Sequence, residues 1–201
     1  MSAPARQRLT EQEYLAIERA AEWKSEFYDG EMFAMAGATR EHNLITLNVA
    51  ADLLRQLKGR PCEAYASDMR VKVEATGLYT YPDVVAVCGE RRFADERQDT
   101  LLNPTLIIEV LFPSTEAYDR GEKFAHYRRL ASLREYVLIA QDRPRVERFV
   151  RQEGGQEWVF TEASGLQETV PLSSIGCQLT LAEIYDRVEF PPDAGVRLHT
   201  A

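Results

Sequence analysis

Two acidic residues stand inside strongly apolar stretches of the sequence. Glu109 is the one charged residue of positions 106–111, and continuous apolarity of this kind is typical of a strand covered on both faces of a sheet. An ionised carboxylate buried there without a partner is costly, or it takes up a proton. Asp83 follows Pro82 at the head of a second apolar run, 84–87. Glu109 therefore needs a compensating cation.

That cation can come from the chain or from solution. Two carboxylates on neighbouring strands repel each other, and a divalent metal ion between them reverses the repulsion. Glu109 could equally be the buried partner of a lysine or arginine, and Asp83 could be a turn residue that follows Pro82. The residues by themselves leave both interpretations open.

The surrounding pattern predicts the elements that would position these acids. Thr10-Glu11-Gln12-Glu13 is a capping box for a helix over 11–23. Asp29-Gly30 predicts a hairpin between 26–28 and 32–35, and a wide apolar face predicts a helix from Thr39 through Lys58. The later elements are expected as strands at 69–73, 84–87, 105–112, 135–140, 146–151 and 158–162, and as helices at 119–130 and 179–188. This order predicts an α/β fold with a mixed central sheet and helices on both faces.

The size and composition are those of a globular protein. The 201 residues suffice for one domain, 1–201, with a core at about 9–188 and a frayed tail over 191–201. No run approaches the roughly 18 apolar residues of a membrane span, and the N-terminus lacks the features of a signal peptide. Cys62, Cys88 and Cys177 are scattered and odd in number, so we expect unpaired cysteines and a cytoplasmic location.

The charge is unevenly distributed. The formal net charge is -8, which by itself argues against a nucleic-acid partner, because phosphate neutralisation supplies most non-specific affinity. The segment 120–151, however, holds nine basic and four acidic residues. Such a stretch could bind a polyanion locally, although a solvated face explains it equally simply.

Four ordered motifs connect these observations with a known family. They are Tyr81-Pro82-Asp83-Val84, Ile108-Glu109-Val110, Pro113-Ser114-Thr115 and the segment from Tyr118-Asp119-Arg120-Gly121-Glu122-Lys123 through Tyr127. In this order they resemble the Uma-two family of restriction endonucleases, within the PD-(D/E)XK nuclease superfamily. The resemblance extends over about 9–188. It implies a restriction-endonuclease-like fold.

The resemblance also implies a catalytic site. Asp83 and Glu109 would be the superfamily's two acids and would bind Mg²⁺, with Mn²⁺ able to substitute and the Val110 carbonyl as a further ligand. The superfamily lysine normally lies two residues after the second acid, but that position is Leu111 here. Lys123 on the following helix is the expected replacement. The implied reaction is metal-dependent endonucleolytic hydrolysis of phosphodiester bonds, with DNA as the expected substrate.

Substrate contacts are expected from residues near this set. Helical spacing places Arg120, His126 and Tyr127 on one side with Lys123, and His42 near the start of the second helix could approach the same site. A homodimer would suit cleavage of both strands of a duplex. No membrane association is expected.

Two other functions compete with this prediction. A nuclease fold that has lost catalysis could serve as a DNA-binding or assembly module, which the displaced lysine and the acidic charge favour. A serine hydrolase using Ser114 and His126 is the second alternative. The sequence lacks the Gly-x-Ser-x-Gly elbow that such an enzyme would need.

Overall fold

The computed structural model describes residues 8–35 and 37–191. Its strands are β1 (Ser25–Tyr28), β2 (Glu31–Ala34), β3 (Cys62–Ala66), β4 (Arg70–Val73), β5 (Leu78–Thr80), β6 (Val84–Cys88), β7 (Thr100–Leu101), β8 (Leu106–Val110), β9 (Glu135–Ile139), β10 (Arg145–Arg151), β11 (Trp158–Ser164), β12 (Thr169–Leu172) and β13 (Cys177–Thr180). Its helices are α1 (Glu11–Glu18), α2 (Arg40–Leu57), α3 (Glu116–Tyr118), a π-helical turn (Asp119–Lys123), α4 (Phe124–Tyr127) and α5 (Leu181–Ile184).

A six-stranded sheet forms the centre of the fold. Its order is β11-β10-β9-β8-β6-β3, and β8 pairs in parallel with β9 while the other neighbours are antiparallel. The prediction of a mixed central sheet is therefore confirmed. A second sheet, in the order β2-β1-β5-β4-β7, lies apart from it in the hydrogen-bonding pattern.

Both faces of the central sheet are covered, as the apolar strands predicted. Alternate side chains of a strand point to opposite faces. Val84 and Ile108 share a core cluster with α2, α5 and the β12–β13 hairpin, whereas Val85 and Ile107 share the other cluster with β4, β5, β7 and α4. By this alternation Glu109 belongs to the second face, between the two sheets.

The predicted hairpin and second helix are confirmed, while two helix predictions were wrong in length. The hairpin turns at Asp29 and Gly30, both with positive φ, and Thr39 caps α2. Helix α1 has the predicted capping box but ends at Glu18, because the Glu18 carboxylate accepts the Ser25 N–H and the chain turns back there.

Near the C-terminus the predicted helix over 179–188 is mostly replaced. Its first residues belong to β13, which pairs with β12, and the helical part is limited to α5. Val170 and Leu179 are paired in the ladder and buried. The burial of these side chains in the hairpin favours a strand over a helix at this position. The tail from 192 onward lies outside the described residues.

The helical segment after β8 contains a wide turn. The backbone is α-helical over Glu116–Tyr118, π-helical over Asp119–Lys123 and α-helical again over Phe124–Tyr127. A π turn holds more residues than an α turn and shifts the faces of the flanking segments relative to each other. Helix-wheel spacing across it is therefore unreliable, which matters for the site.

Two of the three cysteines are paired, contrary to the prediction from spacing. Cys62 and Cys88 face each other in the β3–β6 ladder and form a disulfide with a Cα–Cα distance of 4.0 Å. The two cysteines are 26 residues apart in the sequence, and only the antiparallel pairing of β3 with β6 brings them together. The sequence spacing therefore did not predict the disulfide. Cys177 is buried and free.

Candidate active site

Asp83 and Glu109 lie side by side where β6 begins and β8 ends. The Asp83 N–H lies 3.4 Å from Glu109 Oε2, and Asp83 Oδ2 accepts the Val110 N–H at 2.7 Å. The register pairs Val84 with Ile108, so the two acids follow as the next opposed pair. The backbone itself thus holds both carboxylates at one edge of the ladder.

Lys123 lies beside this pair. Its Nζ is 3.0 Å from Glu109 Oε1, 3.2 Å from Glu26 Oε1 and 3.5 Å from Asp119 Oδ1. Glu26 comes from β1 of the second sheet, and Asp119 from the first residue of the π turn. One buried ammonium therefore joins three carboxylates from three separate elements.

Hydroxyl groups complete the hydrogen bonding of these acids. The Tyr127 hydroxyl donates to Glu109 Oε1 at 2.8 Å, and the Thr80 hydroxyl donates to Glu26. Tyr127 is fully buried, so its hydroxyl orients Glu109 from behind. It has no exposed surface with which to contact a substrate.

The burial of this cluster perturbs its titration. Burial raises the pKa of Glu109 to about 8, with Lys123 opposing the shift and Asp83 adding to it. Burial also raises the pKa of Asp119, again opposed by Lys123. Burial works against the charged form of Lys123, but Glu109, Glu26 and Asp119 outweigh it and hold its pKa well above the ordinary value. The cluster is rich in carboxylates that lack full compensation.

His42 approaches Asp83 from the opposite layer. Its Nε2 is 3.2 Å from Asp83 Oδ1, and Thr39 caps the same end of α2 by accepting the His42 N–H. The cap fixes where α2 begins, and His42 therefore projects from the first turn toward the acids. The predicted proximity of His42 to the site is found in the structure.

A buried network holds the segment that carries Asp83. The Tyr81 hydroxyl donates to Glu18 Oε1 at 2.8 Å and accepts from Arg70 Nη1 at 2.9 Å. Arg70 also contacts Asp99 at 3.1 Å. The Tyr81-Pro82-Asp83 motif is thus anchored to α1 through Glu18 and to β4 through Arg70.

A cleft of about 870 Å³ opens over the acids. Asp83, Glu109, Val110, Lys123 and His42 line it. The β1–β2 hairpin, the start of α2 and the segment from Phe112 to Lys123 supply most of its other walls. The site is recessed, since Glu109 and Lys123 are 4% and 6% exposed.

Two of the predicted substrate contacts lie elsewhere. The Arg120 guanidinium binds Glu147 at 2.8 Å and Glu116 at 2.9 Å, and His126 is buried with its ring 4.6 Å from that of Tyr28. Neither lines the cleft. The expected common face of Arg120, Lys123 and His126 was wrong, because the π turn separates these positions.

Several basic side chains of the 120–151 stretch form ion pairs or hydrogen bonds within the protein. Arg145 binds Glu147 and Glu162, Arg148 binds Glu135, and Arg151 donates to backbone carbonyls. Arg128, Arg129, Arg134 and Arg143 remain exposed, so one part of the stretch is paired within the protein and the other part is a solvated face. The paired part stabilises β10 and its neighbours.

Sequence reasoning missed Glu26 and Asp119. Glu26 alternates with Phe27 in β1, and Phe27 packs against Tyr14, so the alternation showed only that Glu26 faces away from that cluster. Nothing in the sequence placed β1 opposite β8. Asp119 was included in the motif but had no expected role, and its position four residues before Lys123 is the signal that could have identified it.

The comparison with protein families agrees with this arrangement. Residues 11–182 match the model of the family Uma2, described as "Putative restriction endonuclease". The chain belongs to the Uma2 family. The recognised motifs Tyr81-Pro82-Asp83-Val84 and Ile108-Glu109-Val110 are the segments that form the acidic pair.

Two relatives and one solved structure extend the comparison. "Uncharacterized protein sll1609" of Synechocystis sp. (strain ATCC 27184 / PCC 6803 / Kazusa) is 39% identical over 165 residues, which is 82% of this chain and 93% of the relative. "Uncharacterized protein slr1290" of the same organism is 32% identical over 185 residues, 91% and 94% of the two chains. A crystal structure titled as a putative nuclease belonging to DUF820, from Anabaena variabilis ATCC 29413, superposes with a TM-score of 0.72 at 20% identity and covers 88% of this Uma2 chain and 97% of its own. The restriction-endonuclease-like fold is thus shown.

The donor set of this Uma2 protein suits a hydrated Mg²⁺. No group of three metal-binding side chains occurs in the described residues, but Mg²⁺ is commonly held by one or two carboxylates and keeps several waters. Asp83 and Glu109 supply those carboxylates. Thr46, one turn after His42, lines the cleft and buries a hydroxyl for which residues 8–35 and 37–191 provide no hydrogen-bond partner.

Proposed function

We propose that this Uma2 protein is a metal-dependent endonuclease that hydrolyses phosphodiester bonds, with DNA as the substrate. The observation that carries the proposal is the meeting of Asp83, Glu109 and Lys123 in one recessed cleft. Two carboxylates and one lysine are the groups that the PD-(D/E)XK resemblance requires. Here the lysine comes from the π turn, which compensates for Leu111.

The chain's own residues have separate tasks in this mechanism. Asp83 and Glu109 would hold the ion, with the Val110 carbonyl as a candidate third ligand. Bound Mg²⁺ would polarise a phosphate oxygen and lower the pKa of a bound water. Lys123 would stabilise the charge that develops on the phosphate. His42 would hold Asp83 in orientation, and Tyr127 would do the same for Glu109.

Cleavage of labelled DNA with increasing Mg²⁺, and separately Mn²⁺, tests this assignment. We expect Glu109→Gln and Asp83→Asn to abolish metal-dependent cleavage while each protein stays folded. Lys123→Met should reduce the rate by about two orders of magnitude or more, as when one electrostatic stabiliser is removed. Lys58→Met, an exposed lysine at the end of α2, is the matched control and should cleave like the wild type. Wild-type cleavage by Lys123→Met would contradict the assigned lysine.

An inactive nuclease fold is the second candidate. It is favoured by the acceptors of Glu109, which already bind Lys123, Tyr127 and the Asp83 N–H, so an ion must compete for them. In that case the wild type would bind DNA without cleaving it at any Mg²⁺ or Mn²⁺ concentration. Calorimetric titration of the protein with Mg²⁺ separates weak ion binding from absent chemistry.

Location and assembly belong to the same proposal. None of the described helices is long and apolar enough to cross a membrane. The cytoplasmic location follows from the proposed substrate alone, because a nuclease that acts on intracellular DNA would work there. A homodimer would suit the cleavage of both strands where the DNA is a duplex. Cell fractionation and light scattering test these two statements.

A further inference from the structure

The β1–β2 hairpin presents one of its faces to the cleft. In an antiparallel pair, directly opposed residues share a face, and Glu26 opposes Phe33. The ladder continues by one bond, from the Met35 N–H to the Lys24 carbonyl at 3.0 Å. Met35 is therefore on the same face as Phe33 and Glu26. The opposite face packs Phe27 and Met32 against Tyr14.

Large apolar groups on this wall are exposed to solvent. Trp23 is 78%, Phe33 49% and Met35 36% exposed, and all three line the cleft that holds Asp83 and Glu109. Single exposed apolar residues are ordinary, but these three share the lining of one cleft. Here the group adjoins the proposed catalytic acids. The hairpin packs its other face against Tyr14, and on this face the side chains of Phe33 and Met35 are exposed.

The cleft is acidic, so it disfavours the binding of phosphates by ion pairing. Among the described residues that line it, six are acidic, whereas the lysines are two, Lys24 and Lys123. Lys24 binds Asp68 at 3.0 Å and the Ser67 carbonyl at 2.9 Å, and Lys123 is surrounded by carboxylates. Duplex DNA presents mainly its phosphates and is bound through cations. Without the metal ion of the proposed function, affinity in this cleft must come from another part of the substrate.

We infer that the Trp23–Phe33 wall is a stacking surface for unpaired nucleobases, and that the substrate of this site is single-stranded nucleic acid. The inference rests on the proposed function. Any unpaired base, whichever of the four it is, can stack its π face on an aromatic side chain. The bases of a duplex are already stacked on each other. A single flexible strand also reaches a recessed carboxylate pair more readily than a rigid duplex does.

Tryptophan fluorescence offers a direct test, because the chain has two tryptophans. Trp158 packs against Phe124 and Arg151 away from the cleft, so Trp158→Phe leaves Trp23 as the reporter. The probes are a dT12 oligonucleotide, a 12-residue abasic strand of equal phosphate number and a 12-base-pair duplex, all in EDTA so that no cleavage occurs. We expect dT12 to quench Trp23, and the abasic strand and the duplex to leave its emission unchanged.

Variants measure how much the wall contributes. Trp23→Ala and Phe33→Ala should each weaken dT12 binding by about tenfold or more, the scale of one lost stacking contact, with little dependence on salt. Phe160→Ala is the matched control, since Phe160 is 51% exposed on β11 and does not line the cleft. Equal binding of duplex and dT12, or unchanged binding by Trp23→Ala, would overturn the inference. So would a change in Trp23 emission with protein concentration alone, which would mean that a second copy covers the wall.

Cleavage of the same oligonucleotides with Mg²⁺ distinguishes this inference from the proposed function. Quenching by dT12 without cleavage would support the stacking surface and refute the nuclease. Cleavage of duplex at the same rate by wild type and Trp23→Ala would support the nuclease and refute the stacking surface. Preferential cleavage of the single strand, lost in Trp23→Ala, would support both.

Discussion

Lys123 is the residue on which the charge balance of the cleft depends. Its ammonium contacts Glu109, Glu26 and Asp119, and all three of these carboxylates are largely buried. Removing one partner from such a cluster is not equivalent to removing another. Loss of one acid leaves Lys123 with two others, whereas loss of the lysine leaves three acids together.

This asymmetry predicts different stabilities for two variants in EDTA. Glu109→Gln should change the free energy of unfolding by less than about 2 kcal/mol, because Glu26 and Asp119 still neutralise Lys123. Lys123→Met should cost about 3–5 kcal/mol, the scale for breaking a buried ion pair. Chemical denaturation of both proteins measures the difference. A larger cost for Glu109→Gln would mean that Glu109 is chiefly a structural partner of the lysine.

Metal should then act more strongly on the variant without the lysine. A ligand stabilises the folded state according to its affinity, and a divalent cation can replace the missing ammonium near Asp83 and Glu109. We expect the melting temperature of Lys123→Met to rise more with Mg²⁺ than that of the wild type. Equal shifts in the two proteins would argue against a metal site beside Lys123.

At this scale the sequence identified the groups but not their geometry. Asp83 and Glu109 were found because an acid in an apolar strand needs compensation, and Lys123 because the resemblance implied it. Arg120 was misplaced by a π turn that no local pattern revealed. Glu26 was missed because the contact between β1 and the central sheet is a tertiary one.

Among the elements, the β1–β2 hairpin depends on the conformation of its turn. Gly30 has φ +79°, and a Cβ there would lie 2.6 Å from Arg8 Cβ. Gly89 also has φ +79° but would meet nothing within 4 Å. Gly30→Ala should therefore lower the melting temperature more than Gly89→Ala. Both variants place alanine at a positive φ, which is unfavourable, and Gly30→Ala also introduces a steric clash with Arg8. Equal melting temperatures would show that Arg8 moves aside at no cost.

Helix α1 is joined to the site by ion pairs that respond to acid. Arg19 holds the pKa of Asp99 well below its ordinary value, and Arg70 and Thr100 add to the effect. A depressed folded pKa stabilises the fold above the unfolded value of about 4, and this contribution is lost as pH falls through the folded pKa. Asp99→Asn should thus melt lower than the wild type at pH 7, by on the order of a few degrees.

The same pair of proteins provides the check at low pH. Because Asp99 of the unfolded chain takes up a proton as the pH falls below about 4, whereas the folded protein keeps Asp99 ionised to lower pH, the gap between the two melting temperatures should begin to shrink there. Melting curves at pH 7, 5 and 3 measure it. A gap that stays constant over this range would show that the Asp99 charge contributes nothing.

For the whole molecule, the Cys62–Cys88 disulfide is the feature least expected from the sequence. Closing a loop of 26 residues is worth about 3.5 kcal/mol in the chain-entropy model. Cys88→Ala should lose that stabilisation under oxidising conditions and match the wild type in reductant, whereas Cys177→Ala should respond to reductant as the wild type does. Non-reducing alkylation followed by mass spectrometry shows whether the bond forms in cells. Its absence there would agree with the cytoplasmic proposal.

Strand β8, which carries Glu109, and strand β2, which carries Phe33, should differ in local stability. Strand β8 is paired on both sides and covered on both faces, so its amide protons should exchange with solvent only when the whole protein unfolds. Strand β2 is at the edge of the other sheet and is mostly exposed, and its protons should exchange through local fraying. Gentle warming would therefore disorder the apolar wall of the cleft first, while the carboxylate pair kept its geometry. Hydrogen–deuterium exchange should show two rates, slow at Glu109 and fast at Phe33.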